Sequence, residues 1–296
     1  MQQPSFEPYA APSADAPPPP GGSIRFGEAI KFCFRADRPW MNILVSSLLA
    51  FIPVAGPIAL GGWHAEIMQR LVRRHPTPIP TLEFSDFMHY LSRGVQPFVM
   101  RVLVSLPFTV LIVFGSIIGG VSASFAGRRG DPTVIFVVWG IIAALSFLMA
   151  PFMAIVTSAV YTRADLVEEF GPAMQPRKLM TYMGATWLGV LGSAFVFGLL
   201  SFAMILVGII ACYVGAFVAS AIVQLGQLHL RWQIYERFVA RGGEPIPVKA
   251  AVQLPSEQAR VNPYAPYGGG GPHPPSPPGY AQGPYPPPPP PQYPPR

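Results

Sequence analysis

The chain has 296 residues, 51% of them hydrophobic and only 11% charged, against about 25% charged in soluble domains. Its mean hydropathy is +0.38 in spite of 38 prolines, so the apolar residues are concentrated: 102–127, 132–162 and 179–230 hold no Asp, Glu, Lys or Arg. Each run exceeds the roughly 20 residues that a membrane-crossing helix needs, which excludes a water-soluble fold, and the net charge of +6 is no nucleic-acid signature because the basic residues flank those runs.

Residues 1–22 are rich in Pro, Ala and Ser. They lack the apolar content to bury a core and are expected to be disordered. They have no basic and apolar leader pattern, so no cleavable signal is expected. In residues 23–38 the charges Arg25, Glu28, Lys31, Arg35 and Arg38 recur at helical steps, with Phe26, Ile30, Cys33 and Phe34 largely opposite. That spacing predicts an amphipathic helix in the headgroup region.

An apolar segment over 40–63 follows, interrupted by Pro53, Gly56 and Pro57. The helix emerging from it carries Glu66, Arg70, Arg73 and Arg74, and HPTPIP breaks it. Residues 81–94 predict a second interfacial helix, with Thr81 as N-cap and Gly94 as C-cap. Membrane spans are expected at 97–122, with Pro97 in its first turn and Pro107 inside, and at 134–161, with Pro151 inside. Residues 162–178 read as a polar loop. The 52-residue run 179–230 fits two spans, 185–207 and 209–230, folding back near 207–213. The last helix leaves the bilayer and stops at Gly242-Gly243. Residues 243–296 read as a disordered, polyproline-prone tail with interspersed tyrosines.

Basic residues decide how the 40–63 segment is read, because cytoplasmic flanks carry an excess of Lys and Arg. A full crossing divides 18 basic residues six to twelve, whereas a segment that enters and returns divides them sixteen to two, leaving only Arg128 and Arg129 opposite. The re-entrant reading is preferred, with a fifth, proline-kinked span as its alternative. A turn in the bilayer then has to be covered by protein, since lipid offers no hydrogen bonds.

Candidate chemistry is sparse. The expected spans hold no acidic residue, which weighs against a proton-coupled pump. Arg101, one turn inside a span, is expected to snorkel to the interface. Gln224, Gln227 and Arg231 share a helix face beside His229 and Trp232. They fit either a pocket for an anionic lipid headgroup or a helix end meeting water, with Trp232 as an interfacial anchor. The second reading is the plainer. Gly115 and Gly119, and the series Ala211, Gly215 and Ala219, predict close helix packing within the monomer. The histidines show no metal-ligand spacing, and no nucleophile-and-base set or phosphate loop occurs. No enzyme, metal or cofactor is therefore expected. Cys33 and Cys212 are the only cysteines, and their settings predict no disulfide.

The stretch from Gly62 to Gly94 resembles the domain of unknown function 4013 family of prokaryotic multi-span membrane proteins. Gly62-Trp63, Arg70, Pro80, Asp86-Phe87 and Gly94 occur in the family's order, after a similar I-P-x-x-G-P break. Thr81 and Leu82 depart from the aromatic that usually follows the proline. The resemblance extends over 24–242 and implies a membrane fold in a prokaryotic inner membrane, but no reaction.

The expectation is an all-α integral membrane protein with four transmembrane helices, a re-entrant segment, interfacial helices and two disordered tails on the cytoplasmic side. Its leading role is a non-catalytic scaffold whose tails recruit a protein partner. Its alternative is a transporter or lipid-handling protein.

Overall fold

The structure is a computed structural model that describes residues 6–7, 23–129, 133–211 and 214–261. The elements, in chain order, are β1 (Phe6–Glu7), α1 (Phe26–Phe32) with a 3-10 turn at Cys33–Arg35, α2 (Pro39–Leu49), α3 (Ala55–Val72), a 3-10 turn at Phe84–Asp86, α4 (Phe87–Arg129), α5 (Thr133–Val167), α6 (Phe170–Ala173), α7 (Pro176–Ala211), α8 (Val214–Ala240), β2 (Val248–Lys249) and α9 (Pro255–Val261). Two compact units are present, Met1–Ser256 and Glu257–Arg296. The second is described only over 257–261, the end of α9.

Among the described residues, three helices are long and apolar enough to cross a membrane: α4, α5 and α7. Their apolar side chains point outward. Ile117, Phe125, Phe136, Phe147, Phe195 and Phe202 are all exposed, as lipid-facing surface requires. Helix α8 has 27 residues but is not among the three, because Gln224, Gln227, His229 and Arg231 interrupt its apolar face. Pro97, Pro107 and Pro151 lie inside continuous helices. The cap expected at Gly94 is thus corrected: α4 runs straight through it.

Gly94 serves another purpose. A Cβ there would lie 1.8 Å from the Ile58 carbonyl oxygen, and one at Gly62 would lie 2.0 Å from that of Tyr90. The two glycines let the backbones of α3 and α4 touch. Gly119 fits in the same way against Trp139 of α5, and Gly215 against Gly208 of α7, so these small residues pack helices within one chain.

The segment broken by Pro53 and Pro57 folds back. Asn42 and Trp63 both donate to the Pro80 carbonyl, at 3.4 and 3.2 Å, and Asn42 accepts from the Leu82 amide at 2.8 Å. Asn42 lies about 12 Å of helix before the turn and Trp63 about 12 Å after it, so α2 and α3 form an antiparallel hairpin. The turn is tight. Val54 adopts φ +66°, a costly conformation for a β-branched residue. A Cβ on Gly56 would meet the Leu49 carbonyl oxygen at 1.8 Å. Phe51 at the tip stacks on Phe217 near the start of α8, with ring centroids 4.1 Å apart. Leu44, Leu48, Ile52 and Val54 stay exposed.

Three further expectations change. Residues 162–178 are no open polar loop: α5 runs on to Val167, and Thr162, Arg163 and Asp165 are buried. The amphipathic segment is shorter than expected and docks against α8, where Phe32 meets His229 at 4.6 Å and Ala29 and Cys33 are buried. Residues 244–256 are packed: Ile246, Val248 and Leu254 are buried, and Ser256 donates its amide and hydroxyl to buried Asp86 at 2.9 and 2.6 Å. This strap pairs antiparallel with the N-terminal segment, Phe6 opposite Lys249 and Glu7 opposite Val248. The disorder expected for 1–5, 8–22 and 262–296 falls outside the described residues; of the fold-back expected near 207–213, residues 207–211 are still helix α7, and 212–213 fall outside the described residues.

Burial pushes the Cys33 thiol up to about 11, so at neutral pH it stays protonated and covered. In a Cys212→Ser background, maleimide is expected to modify Cys33 only after denaturation; fast labelling of the folded protein would show that α1 does not dock on α8. Gly94→Ala is expected to lower stability by about 1–3 kcal/mol or more, as overpacking does. Gly120→Ala, whose Cβ meets open space, is expected to leave it unchanged or raised, both read from thermal unfolding in detergent.

Candidate functional site

Polar chemistry collects where α3 and α5 end, α4 begins and the last turns of α8 lie. Every one of these segments looks polar locally, and the fold brings them together because neighbouring helices run antiparallel. Two linked charge clusters result.

The first centres on Arg93, which donates to both Glu66 and Glu168 and to Gln69 Oε1 at 3.0 Å. Glu66 also accepts from Arg70 Nε at 2.6 Å. Glu168 accepts from Gln69 Nε2 at 2.7 Å and from Lys249 Nζ at 3.1 Å. Glu168 holds φ +52° just past the end of α5, a strained geometry that these partners hold in place. Its Lys249 partner comes from the strap, so a residue assigned to the tail completes a buried network.

The second cluster centres on Asp165, which is fully buried. One carboxylate oxygen accepts from Arg101 Nη2 at 2.5 Å and the other from Arg231 Nη1 at 2.9 Å. The Tyr161 ring lies under both guanidinium groups, at 5.1 and 5.7 Å, close enough for cation–π attraction. Arg101 therefore does not snorkel to water; it is held inside by an acid that the sequence reading had placed in a loop. Two cations share one carboxylate, leaving one positive charge in excess.

A cavity of about 320 Å³ opens beside this cluster, at the lower end of ligand pockets, about 300–1,000 Å³. Its walls come from α3, α4, α5, α7 and α8. His64, Arg101, Ser158, Ser193, Gln224, Gln227 and Arg231 are among its polar lining residues, and Ala154, Val190, Ala194, Phe197 and Leu230 among its apolar ones. Gln224, Gln227 and Arg231 thus share one cavity. Trp232 does not line it and instead packs on His229, with ring centroids 5.1 Å apart. The sequence reading missed Asp165, Ser158 and His64. Tyr161, Asp165 and Glu168 do follow one another at helical steps, a signal hidden by ending the helix at Tyr161. Among the described residues no three His, Cys, Asp or Glu side chains are grouped to hold a metal ion.

Breaking a buried ion pair strands its partner and costs about 3–5 kcal/mol. Asp165→Asn is expected to lower stability by about that much, whereas Lys249→Ala, whose side chain is partly exposed, is expected to cost about 1 kcal/mol or less. Thermal unfolding in one detergent compares them, and equal losses would contradict the burial assigned to Asp165.

Residues 45–223 match a family described as Protein of unknown function (DUF4013). The match takes in most of the α2–α3 hairpin, all of α4, α5 and α7, and the first third of α8, with Arg101, Ser158, Tyr161 and Asp165 inside it and Gln224, Gln227 and Arg231 just beyond. It is narrower than the 24–242 expected. No curated protein and no solved structure matches the chain. By the match over more than half of its length, and by the Gly62 to Gly94 pattern that the fold explains as helix contact, the chain belongs to the DUF4013 family.

Proposed function

We propose that this protein is a non-catalytic lipid-handling protein of a prokaryotic inner membrane, which holds an amphiphile with an anionic head in the cavity beside Asp165. The observation that carries this reading is the cavity's mixed lining. Arg101 and Arg231 supply an excess positive charge, and Ala154, Val190, Ala194, Phe197 and Leu230 add apolar surface to the same cavity. A site of that kind suits a molecule that is itself half polar. The reading takes the lipid-handling alternative, which rests on the Gln224–Arg231 end of the bundle, in preference to the scaffold, which rests on tails that lie mostly outside the described residues.

The same reading includes a topology. Helices α4, α5, α7 and α8 cross the bilayer, and the α2–α3 hairpin enters and returns, its 11-residue first arm being only about 16 Å long. The charged ends and both tails then face the cytoplasm, supported by the sixteen-to-two division of basic residues.

Purification in mild detergent followed by native mass spectrometry tests the binding. The full chain is expected to carry bound anionic lipid, and Arg231→Met to retain about a tenth as much or less, because a hydrogen bond to a charged group contributes about 1.5–3 kcal/mol. A wild-type protein free of lipid, or one carrying zwitterionic lipid alone, would contradict the proposal.

A further inference from the structure

We infer, resting on the amphiphile reading above, that the bound molecule carries a single negative charge, that Arg101 and Ser158 grip its headgroup, and that its chain leaves sideways between α5 and α7 into the bilayer. Charge balance sets the first part. Asp165 spends one oxygen on each arginine, so a monoanion closes the count and a dianion would overshoot it in a buried setting, where uncompensated charge is costly. A phosphodiester and a carboxylate share this chemistry.

Unused donors set the second part. Arg101 Nε and Ser158 Oγ are buried and have no hydrogen-bond partner among the described residues. Both residues line the cavity, and Ser158 is 9% exposed. Buried donors of this kind are rarely left unpaired. Two oxygens of one headgroup can satisfy both at once.

Side-chain size sets the third part. Ala154, Ala194 and Gly198 line the cavity, and Ala194 and Gly198 are also exposed on α7. The cavity therefore reaches the outer face of the bundle there, between exposed Phe195, Leu199 and Phe202. Gly198 lies 13 residues before the end of α7, about 20 Å along the helix from its C-terminal end. That depth falls within a hydrocarbon core of about 30 Å, so the opening faces lipid and not water. A Cβ at Gly198 meets nothing within 4 Å. A larger side chain there fills the opening without displacing the fold.

The test measures binding to the full chain in detergent micelles by native mass spectrometry titration. The probes are phosphatidylglycerol and oleate (one charge each), cardiolipin (two), phosphatidylcholine (no net charge) and inorganic phosphate. The monoanions are expected to bind at least about tenfold more tightly than phosphatidylcholine or cardiolipin. Ser158→Ala and Arg101→Lys, which keeps the charge on Asp165, are each expected to weaken phosphatidylglycerol about tenfold, the scale of one charge-assisted hydrogen bond. Gly198→Leu is expected to abolish lipid binding with unchanged thermal unfolding. If cardiolipin binds as tightly as phosphatidylglycerol, the single-charge assignment fails while the anionic-amphiphile reading stands; if phosphatidylcholine does, both fail. If inorganic phosphate binds as tightly as phosphatidylglycerol, or Gly198→Leu folds and binds lipid unchanged, the sideways path fails. If no lipid binds the wild type at all, both fail together.

Discussion

The ion pairs around Asp165 and Arg93 constrain the whole fold. An apolar bundle that faces lipid has little polar surface, yet it buries Glu66, Arg70, Arg93, Asp165 and Glu168. Each is tolerable only with a partner, because a stranded buried charge costs several kcal/mol. The partners come from α3, α4, α5, α8 and the strap, so those segments must bring their charged ends to one level. Antiparallel neighbours achieve this because α3 and α5 end, and α4 begins, at that level, where the last turns of α8 also lie. The α2–α3 reversal is held separately, by the shared hydrogen bonds of Asn42 and Trp63 on the Pro80 carbonyl, in the segment between α3 and α4.

The apolar architecture was legible in the sequence because membrane hydropathy is a local property. Long uncharged runs mark α4, α5 and α7 without knowledge of their neighbours, and the Lys and Arg asymmetry pointed to a returning segment. Partnership is not local. Asp165 and Arg101 are 64 residues apart and Arg231 is a further 66 beyond Asp165, so a window centred on any of them reads as a polar boundary. For that reason the sequence alone ends α5 at Tyr161 and puts Arg101 at the interface. Gly94 failed in the same way. A glycine after a short helical pattern looks like a cap, and only the nearness of Ile58 shows it to be a contact point.

The site was half legible. Gln224, Gln227 and Arg231 share a face by spacing alone, and the cavity sits on that face. Trp232 follows Arg231 directly and therefore points elsewhere, onto His229. Ser158 and His64 carried no signal, since a single hydroxyl or imidazole in an apolar helix acquires meaning only from the wall opposite. The strap was illegible for a related reason. Its prolines and alanines suggest coil, but Ile246, Val248 and Leu254 find a surface to bury against that composition cannot foresee.

One-sidedness of the charged ends, with the α2–α3 hairpin returning to the side it left, is the claim on which the account turns, and site-directed labelling measures it directly. Single cysteines at Ser23, Ser85, Gly130 and Ala251, in a background with Cys33 and Cys212 replaced by Ser, are exposed to an impermeant thiol reagent at the outer face of spheroplasts. The account predicts that only the cysteine at position 130 reacts. Labelling at position 23 together with 130, with 85 and 251 protected, would mean that residues 42–66 cross the bilayer fully, and would contradict it.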